Sequence, residues 1–416
     1  MEQLVHDALV RLGIRPGDGI LCAVSGGVDS VVLLHTLLGL SRSMGFSLMA
    51  AHYNHGIREE AKEDECFVRH LCSSLSVTLH IGHGSVPQSR LKETVEEAAR
   101  RMRYGYLEQV RKENGLSYIT TAHHMGDQAE TVLMNLLRGS GTRGLKGMEE
   151  KRGNIIRPML SASKEDILAW AKEKGLSHVE DETNRDDTFR RNSIRNQLIP
   201  LLQREYNPAI IKALCNTAKA AGEDERFLSS LAAQAYENAL RYGFGQTCVV
   251  LSSDLPTEPA VLKRLVRLCL ERLGCYDLDS AMLMNILDAL AENRRTDVGH
   301  GIFVDHKQSV QFYRPAEPVT ESAAFQNGSA ALSTMGLSVV WPDAPLGAVL
   351  RTRKQGDVLP GGKPLSEWMK QKGVPRCIRD LLGIVAVGDE VIALQHYDLY
   401  KTDMPAPRFT GGVEKF

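Results

Sequence analysis

The sequence predicts an α/β fold: a doubly wound, mainly parallel sheet over residues 1–210, a mostly helical middle domain over 211–318, and a small C-terminal α/β domain over 331–416. Three observations carry this expectation. Strand-length apolar runs alternate with helical patterns through the first 210 residues. A glycine-rich hexapeptide, Ser25-Gly26-Gly27-Val28-Asp29-Ser30, stands between the first apolar run and the first helical segment. At 416 residues the chain is also too long for one compact core.

Taken in order, Gly19 to Val24 reads as a strand, the hexapeptide as a tight loop, and a helix begins at about Asp29 with the apolar segment Val31 to Leu40. A strand over Ser47 to Asn54, a helix over about Glu60 to Ser74 and a strand over Val77 to Gly82 follow. A longer helix over about Leu91 to Asn114 precedes a strand over Leu116 to Ala122. Another helix is expected from Asp166 to Gly175, and an Arg-rich one from about Arg190 to Leu202. Pro208 opens a helix-favouring stretch to about Tyr242, and amphipathic patterns recur at Val261 to Leu273 and Ala281 to Ala291. The polar run Val319 to Ser329 reads as a linker, and short β-like runs at Leu337 to Trp341 and Gly383 to Val387 mark the last domain.

Composition excludes several classes. With 43% hydrophobic and 24% charged residues the chain is an ordinary soluble protein, and no stretch approaches the uncharged apolar length of a membrane span. The amphipathic, partly acidic N-terminus does not resemble a signal peptide, so a cytoplasmic location and no membrane partner are expected. The eight cysteines form no C-x-x-C pair, which supports neither a disulfide framework nor a cysteine-ligated metal. A net charge of −1 restricts any nucleic-acid contact to local patches.

The hexapeptide is the main chemical signal. At a strand-to-helix junction the unpaired N–H groups of the first helical turn point into the loop, and adjacent glycines admit a ligand close to the main chain. The natural guest is a phosphate. No G-x-x-x-x-G-K-[ST] occurs, so the loop carries no lysine of its own, and Asp29 beside a phosphate calls for a bridging Mg²⁺. A second constellation, His123-His124-Met125-Gly126-Asp127-Gln128-Ala129-Glu130-Thr131, leaves a strand and enters a helix. Asp127 and Glu130, three apart, project from one face, either to meet a cation or merely to complement the helix dipole. In ligand-gathering sheets both stretches, with His52 to His55, converge at the carboxyl ends of the strands. His52 and His55 lack metal-ligand spacing and read as structural. Glu97 and Arg101 read as an ordinary i,i+4 surface pair.

Together, the hexapeptide, Ala51-His52-Tyr53-Asn54-His55-Gly56-Ile57-Arg58, Arg103-Tyr104, the His-His-x-x-Asp-Gln-x-Glu-Thr stretch, Arg138-Gly139-Ser140-Gly141, Arg157-Pro158, Glu180-Asp181-Glu182-Thr183-Asn184 and Arg191-Asn192-x-Ile194-Arg195 resemble the bacterial tRNA(Ile)-lysidine synthases. These belong to the N-type, PP-loop ATP pyrophosphatases, whose sheet is Rossmann-like. Arg351-x-Arg353-x-x-Gly356-Asp357-x-x-Pro360 resembles the last domain of the longer members. One departure is Gly126, where many members carry an acid. Another is the run Gly361 to Leu365, less lysine-rich than the usual pattern.

The resemblance implies a ligase that modifies the wobble cytidine of isoleucine tRNA bearing a CAU anticodon, using ATP and L-lysine. The cytidine O2 attacks the α-phosphate and releases pyrophosphate; the lysine ε-amine then attacks C2 and expels AMP. On this basis Ser25, Gly26, Gly27, Val28, Asp29 and Ser30 would bind ATP, Asp29 would place Mg²⁺, and Arg103, Asp127 and Glu130 would bind lysine. Arg103 and Arg195 would be active-site arginines, joining Asp29, Asp127 and Glu130 in catalysis. Arg138, Arg191, Arg195, Arg351, Arg353 and Arg376 are candidate tRNA contacts: Arg191 and Arg195 on the Arg-rich helix, the others in runs where six Lys or Arg face two acids (138–157) and eight face two (351–379). Solvated basic faces are the alternative there. A homodimer is left open. A tRNA 2-thiolase, an amidating synthetase and a nucleotide-binding regulatory module are the rival readings; the missing C-x-x-C pairs and the lack of a glutaminase-like domain weigh against the first two.

Overall fold

The computed structural model describes residues 1–54, 61–84, 95–179, 190–315, 319, 321–399 and 406–416. The chain divides into two compact units, Met1–Glu225 and Arg226–Phe416. His55 to Arg58 and Glu180 to Asn184, both used in the sequence reading, lie outside the described residues.

In the first unit, strands β1 (Gly19–Ala23), β2 (Ser47–Asn54), β3 (Thr78–His83), β4 (Tyr118–Thr120), β5 (Lys151–Arg152) and β6 (Ile155–Ile156) form one sheet in the order β3-β2-β1-β4-β6-β5. Only β5 is antiparallel. Around it run α1 (Glu2–Arg11), α2 (Val28–Met44), α3 (Ala61–Ser74), α4 (Val95–Glu113), α5 (Met125–Leu137), α6 (Thr142–Leu145) and α7 (Lys164–Glu173). Then come α8 (Arg190–Ser193), a π-helical turn (Ile194–Leu198), α9 (Ile199–Glu205) and α10 (Ile210–Ala239), the last crossing the unit boundary.

Side-chain alternation along β1 explains why helices cover both faces. Ile20 and Cys22 pack with Val5, Leu9, Leu33 and Ile167 of α1, α2 and α7, whereas Leu21 packs with Leu107 and Val110 of α4. A strand buried on both sides reads as a continuous apolar run, which is why β1 was legible. The strand order reverses between β1 and β4, opening a crevice at their carboxyl ends. The connections β1–α2 and β4–α5 both open there. The hairpin β5–β6, two residues per strand, was not anticipated from the sequence.

The second unit contains more sheet than the sequence suggested. Strands β7 (Leu240–Phe244), β8 (Cys248–Ser252), β9 (Thr296–Gly299), β10 (Ile302–His306) and β11 (Ser309–Tyr313) accompany α11 (Pro259–Arg272) and α12 (Ser280–Ala291). Beyond them are β12 (Ser322–Ala324), β13 (Ser329–Leu332), β14 (Leu337–Val340), β15 (Val349–Arg351), α13 (Leu365–Gln371), β16 (Ile384–Val387), β17 (Glu390–Leu394), β18 (Arg408–Thr410) and β19 (Glu414–Lys415). They make sheets of six, four and three strands. β12 lies within the run read as a linker. Residues of 211–318 and 331–416 share one apolar core, in which Tyr242, Cys248 and Val250 pack with Leu337, Leu382 and Val413, and β19 pairs with β7. Among the described residues, no helix is long and apolar enough to cross a membrane.

Candidate active site

The loop after β1 is tied by its own serines. Ser30, buried in the first turn of α2, accepts from the Ser25 and Gly26 N–H groups at 3.2 and 3.3 Å and donates to the Gly27 carbonyl at 2.9 Å. Gly26 has φ +98°, a conformation other residues resist. No side chain caps the N-terminus of α2, so the positive end of this 17-residue helix faces the loop. His52 lies beneath, its Nδ1 2.9 Å from the Val24 carbonyl, and holds the strand end.

Asp29 does not stand alone: the Lys164 ammonium, from the first residue of α7, lies 2.6 Å from its Oδ1. The loop thus has a lysine after all, supplied from far along the chain. A cation in a first helical turn opposes the helix dipole, and that mismatch was the signal available in the sequence. Among the described residues no group of three or more His, Cys, Asp or Glu is arranged to hold a metal. Asp29 alone fits Mg²⁺ only in the mode where one carboxylate, waters and substrate phosphates share the ion.

At the start of α5 His124 and Asp127 form a reciprocal cap. The Asp127 carboxylate accepts from the His124 N–H at 3.0 Å, and His124 Nδ1 accepts from the Gly126 N–H at 3.0 Å. That second bond assigns the imidazole proton of the neutral ring to Nε2, which sits 3.5 Å from Asp127 Oδ2 and 3.9 Å from Asp29 Oδ2. His124, which sequence reasoning passed over, therefore links the two acidic positions. A Cβ at Gly126 would lie 2.7 Å from His124 Cε1, so a side chain here would push the ring aside. Gln128 pins the segment after α6, accepting from Met148 N at 2.7 Å and donating to Met148 O at 3.0 Å.

Glu130 is 2% exposed and Asp127 9%. Arg191 donates to Glu130 at 2.7 Å and to Asp127 at 2.9 Å; Arg195 donates to Glu130 at 2.5 Å and to Asp127 at 3.2 Å. The two arginines, four apart, face the same carboxylates, with Arg195 in the π-helical turn. Burial pushes the Asp127 carboxyl up, but neighbouring positive charge, that of Arg191 included, and the His124 backbone N–H outweigh it and hold it below the ordinary carboxylate value. Burial pushes His123 down to about 3, and Arg157, Arg191 and Arg100 add to this against the pull of Asp127. His123 is therefore neutral, 2.8 Å from the Thr121 hydroxyl.

The structure thus brings together Asp29, Asp127, Glu130, Arg191 and Arg195, with His124 and Lys164 added. Arg103 is on α4, its guanidinium 5.6 Å from the Tyr104 ring centre. Arg138 ends α5 and is exposed. The arginines of the second unit divide. Arg376 is exposed, and Arg353 pairs with Asp380. Arg351 must be corrected: it is 2% exposed and grips Asp357 through two bonds of 2.7 and 2.9 Å, which makes it a fold-holding residue and not an RNA contact.

A glycine loop with an uncapped helix N-terminus, set at the reversal of a parallel sheet, defines a nucleotide-binding α/β protein, and residues 1–202 match the PP-loop domain family. The chain is 32% identical to the tRNA(Ile)-lysidine synthase of Symbiobacterium thermophilum over 93% of its own length and 92% of that protein. It is 31% identical to the Thermosipho africanus enzyme of the same name, over 89% and 87%. A solved U34-tRNA thiolase from Methanococcus maripaludis aligns over 53% of this chain and 77% of its own, with a TM-score of 0.46 and 18% identity. The chain belongs to the tRNA(Ile)-lysidine synthase family.

Proposed function

We propose that this protein ligates L-lysine to C2 of the wobble cytidine of isoleucine tRNA carrying a CAU anticodon, with ATP cleaved to AMP and pyrophosphate. The observation that carries the reading is the set of two buried carboxylates and two arginines beside the phosphate loop. A lysine molecule presents one carboxylate and two ammonium groups. Its carboxylate can take Arg191 and Arg195, which frees Asp127 and Glu130 for the ammonium groups, so the pairs exchange partners and no buried charge is stranded.

The chemistry follows in two balanced steps. The cytidine O2 attacks the α-phosphate and pyrophosphate leaves; the α2 N-terminus, the loop N–H groups and Lys164 meet the charge that develops on the leaving group. The neutral ε-amine then attacks C2, AMP leaves with the O2 oxygen, and one amine proton is lost. Only about one lysine amine in 2,500 is neutral at pH 7, so a carboxylate must first take a proton from the ε-ammonium, and the proton lost after attack leaves separately. Asp127, held ionised by its neighbours, is suited to anchoring an ammonium, and we assign proton acceptance to Glu130. Mg²⁺ on Asp29 would add charge neutralisation at the phosphates when bound. Arg138 and Arg376, both exposed, would contact tRNA phosphates, and a tRNA-modifying role favours the cytoplasm. Residues 211–318 and 331–416 would both serve tRNA binding.

The test is incorporation of labelled lysine into unmodified isoleucine tRNA with and without ATP, with methionine tRNA as the control. ATP-dependent labelling of the isoleucine species alone is expected. Labelling of neither, by folded protein that binds ATP, would overturn the reading.

A further inference from the structure

We infer that Arg157 binds a phosphodiester of the RNA strand beside the nucleotide being modified; this rests on the tRNA-modifying reading above. Arg157 follows β6 and is 5% exposed. Its Nη1 donates to the Glu149 carbonyl at 2.8 Å, while its Nε is sealed from solvent without an acceptor. Among the described residues no carboxylate pairs with it. The phenol of Tyr104 lies against its side chain. Exposed Arg100 lies over the same ring, its guanidinium 5.1 Å from the ring centre.

A buried guanidinium without a counter-ion is costly, and proteins ordinarily match one with an acid or neutralise it with a ligand. Here the surroundings supply further positive charge instead, because Arg100 and Arg152 both work against the Arg157 cation and neutral His123 offers it no anion. An unmatched Nε on Arg157 and uncompensated positive charge on the adjoining arginines call for an anion, and a phosphate fits that description.

Position separates the RNA phosphate from those of ATP. The order β1-β4-β6 places two strand spacings between the phosphate loop and Arg157, roughly 10 Å at about 4.8 Å each. The triphosphate tail is claimed by the loop after β1, and Asp127 and Glu130 occupy the end of β4.

Arg157→Met is expected to weaken binding of isoleucine tRNA about tenfold. The slope of log affinity against log salt should become shallower by about 1, with ATP affinity unchanged. An anticodon stem-loop with neutral methylphosphonate linkages flanking the target cytidine should lose a similar factor with the native protein and no more with Arg157→Met. This arm decides the matter if the variant misfolds. Unchanged tRNA affinity and slope, or equal binding of the methylphosphonate RNA by native protein, would overturn the inference. Loss of ATP affinity in its place would assign Arg157 to the nucleotide. Native protein that modifies tRNA while Arg157→Met binds it equally well sinks this inference alone, whereas native protein that binds no isoleucine tRNA sinks the functional reading with it.

Discussion

Replacing Lys164 with methionine separates the structural from the chemical worth of its pair with Asp29. At 2.6 Å the Coulomb attraction is about 1.6 kcal/mol in bulk water and about 6 kcal/mol at an effective dielectric of 20. Both side chains are about a third exposed, at 39% and 30%, so after desolvation and side-chain ordering the net contribution to folding falls to about 1 kcal/mol or less. Removing a cation from the first turn of α7 returns about 0.3–1 kcal/mol through the helix dipole, so the two effects nearly cancel. Lys164→Met should therefore change the melting temperature by only about 2 °C. Turnover should respond differently, because in the proposed reaction the ammonium meets the charge that develops on pyrophosphate; losing one such donor costs about a hundredfold or more in kcat. The assay is pyrophosphate release at saturating ATP, lysine and tRNA, with thermal melts run in parallel. Lys164→Arg should recover part of the rate, since it keeps the charge but changes its shape. A large drop in melting temperature with unchanged release per folded molecule would refute the reasoning, and a raised KM for ATP at constant kcat would show that Lys164 binds substrate and transition state alike.

Three further outcomes follow from the same geometry. Glu130→Gln should impair lysine use severely while leaving ATP binding intact, because it takes the negative charge from a side chain that is 2% exposed and paired with two arginines; lysine titration at saturating ATP and tRNA checks it, and unchanged kinetics would remove Glu130 from the lysine pocket. His123 is held down at about 3 from an ordinary value near 6.5, so its stabilising contribution is complete above pH 6.5 and is lost as pH falls toward 3, by up to about 1.4 kcal/mol per unit. Denaturant unfolding from pH 6.5 to 4.5 should show a shallower pH slope for His123→Gln than for the native chain. Arg351→Met should destabilise the protein by about 3–5 kcal/mol, since it strands Asp357, yet leave tRNA affinity per folded molecule unchanged in a filter-binding assay.

What the sequence revealed and what it hid follow one physical division. The β1–loop–α2 and β4–α5 junctions were legible because each signal is local: a run buried on both faces, then residues whose conformation or charge suits a helix start. Strands β7 to β11 escaped because their four or five residues are stabilised by pairing with distant neighbours, although Gly245 and Gly301, both at positive φ, mark the hairpin turns that could have exposed them. The site divides in the same way. Asp127 and Glu130 share a helix face and could be paired on paper, whereas Lys164 reaches Asp29 across 135 positions and Arg191 reaches Asp127 across 64. Arg351 shows the opposite error. Read within a basic run it belonged to a surface, but Asp357 lies six residues on, close enough to satisfy its guanidinium and carry it into the core. A charge run therefore becomes evidence for nucleic acid only after each arginine with a carboxylate in reach has been set aside. By that criterion Arg351 is set aside, Arg353 is engaged by Asp380, Arg376 is exposed, and Arg157, absent from the predicted contacts, has no carboxylate paired with it among the described residues.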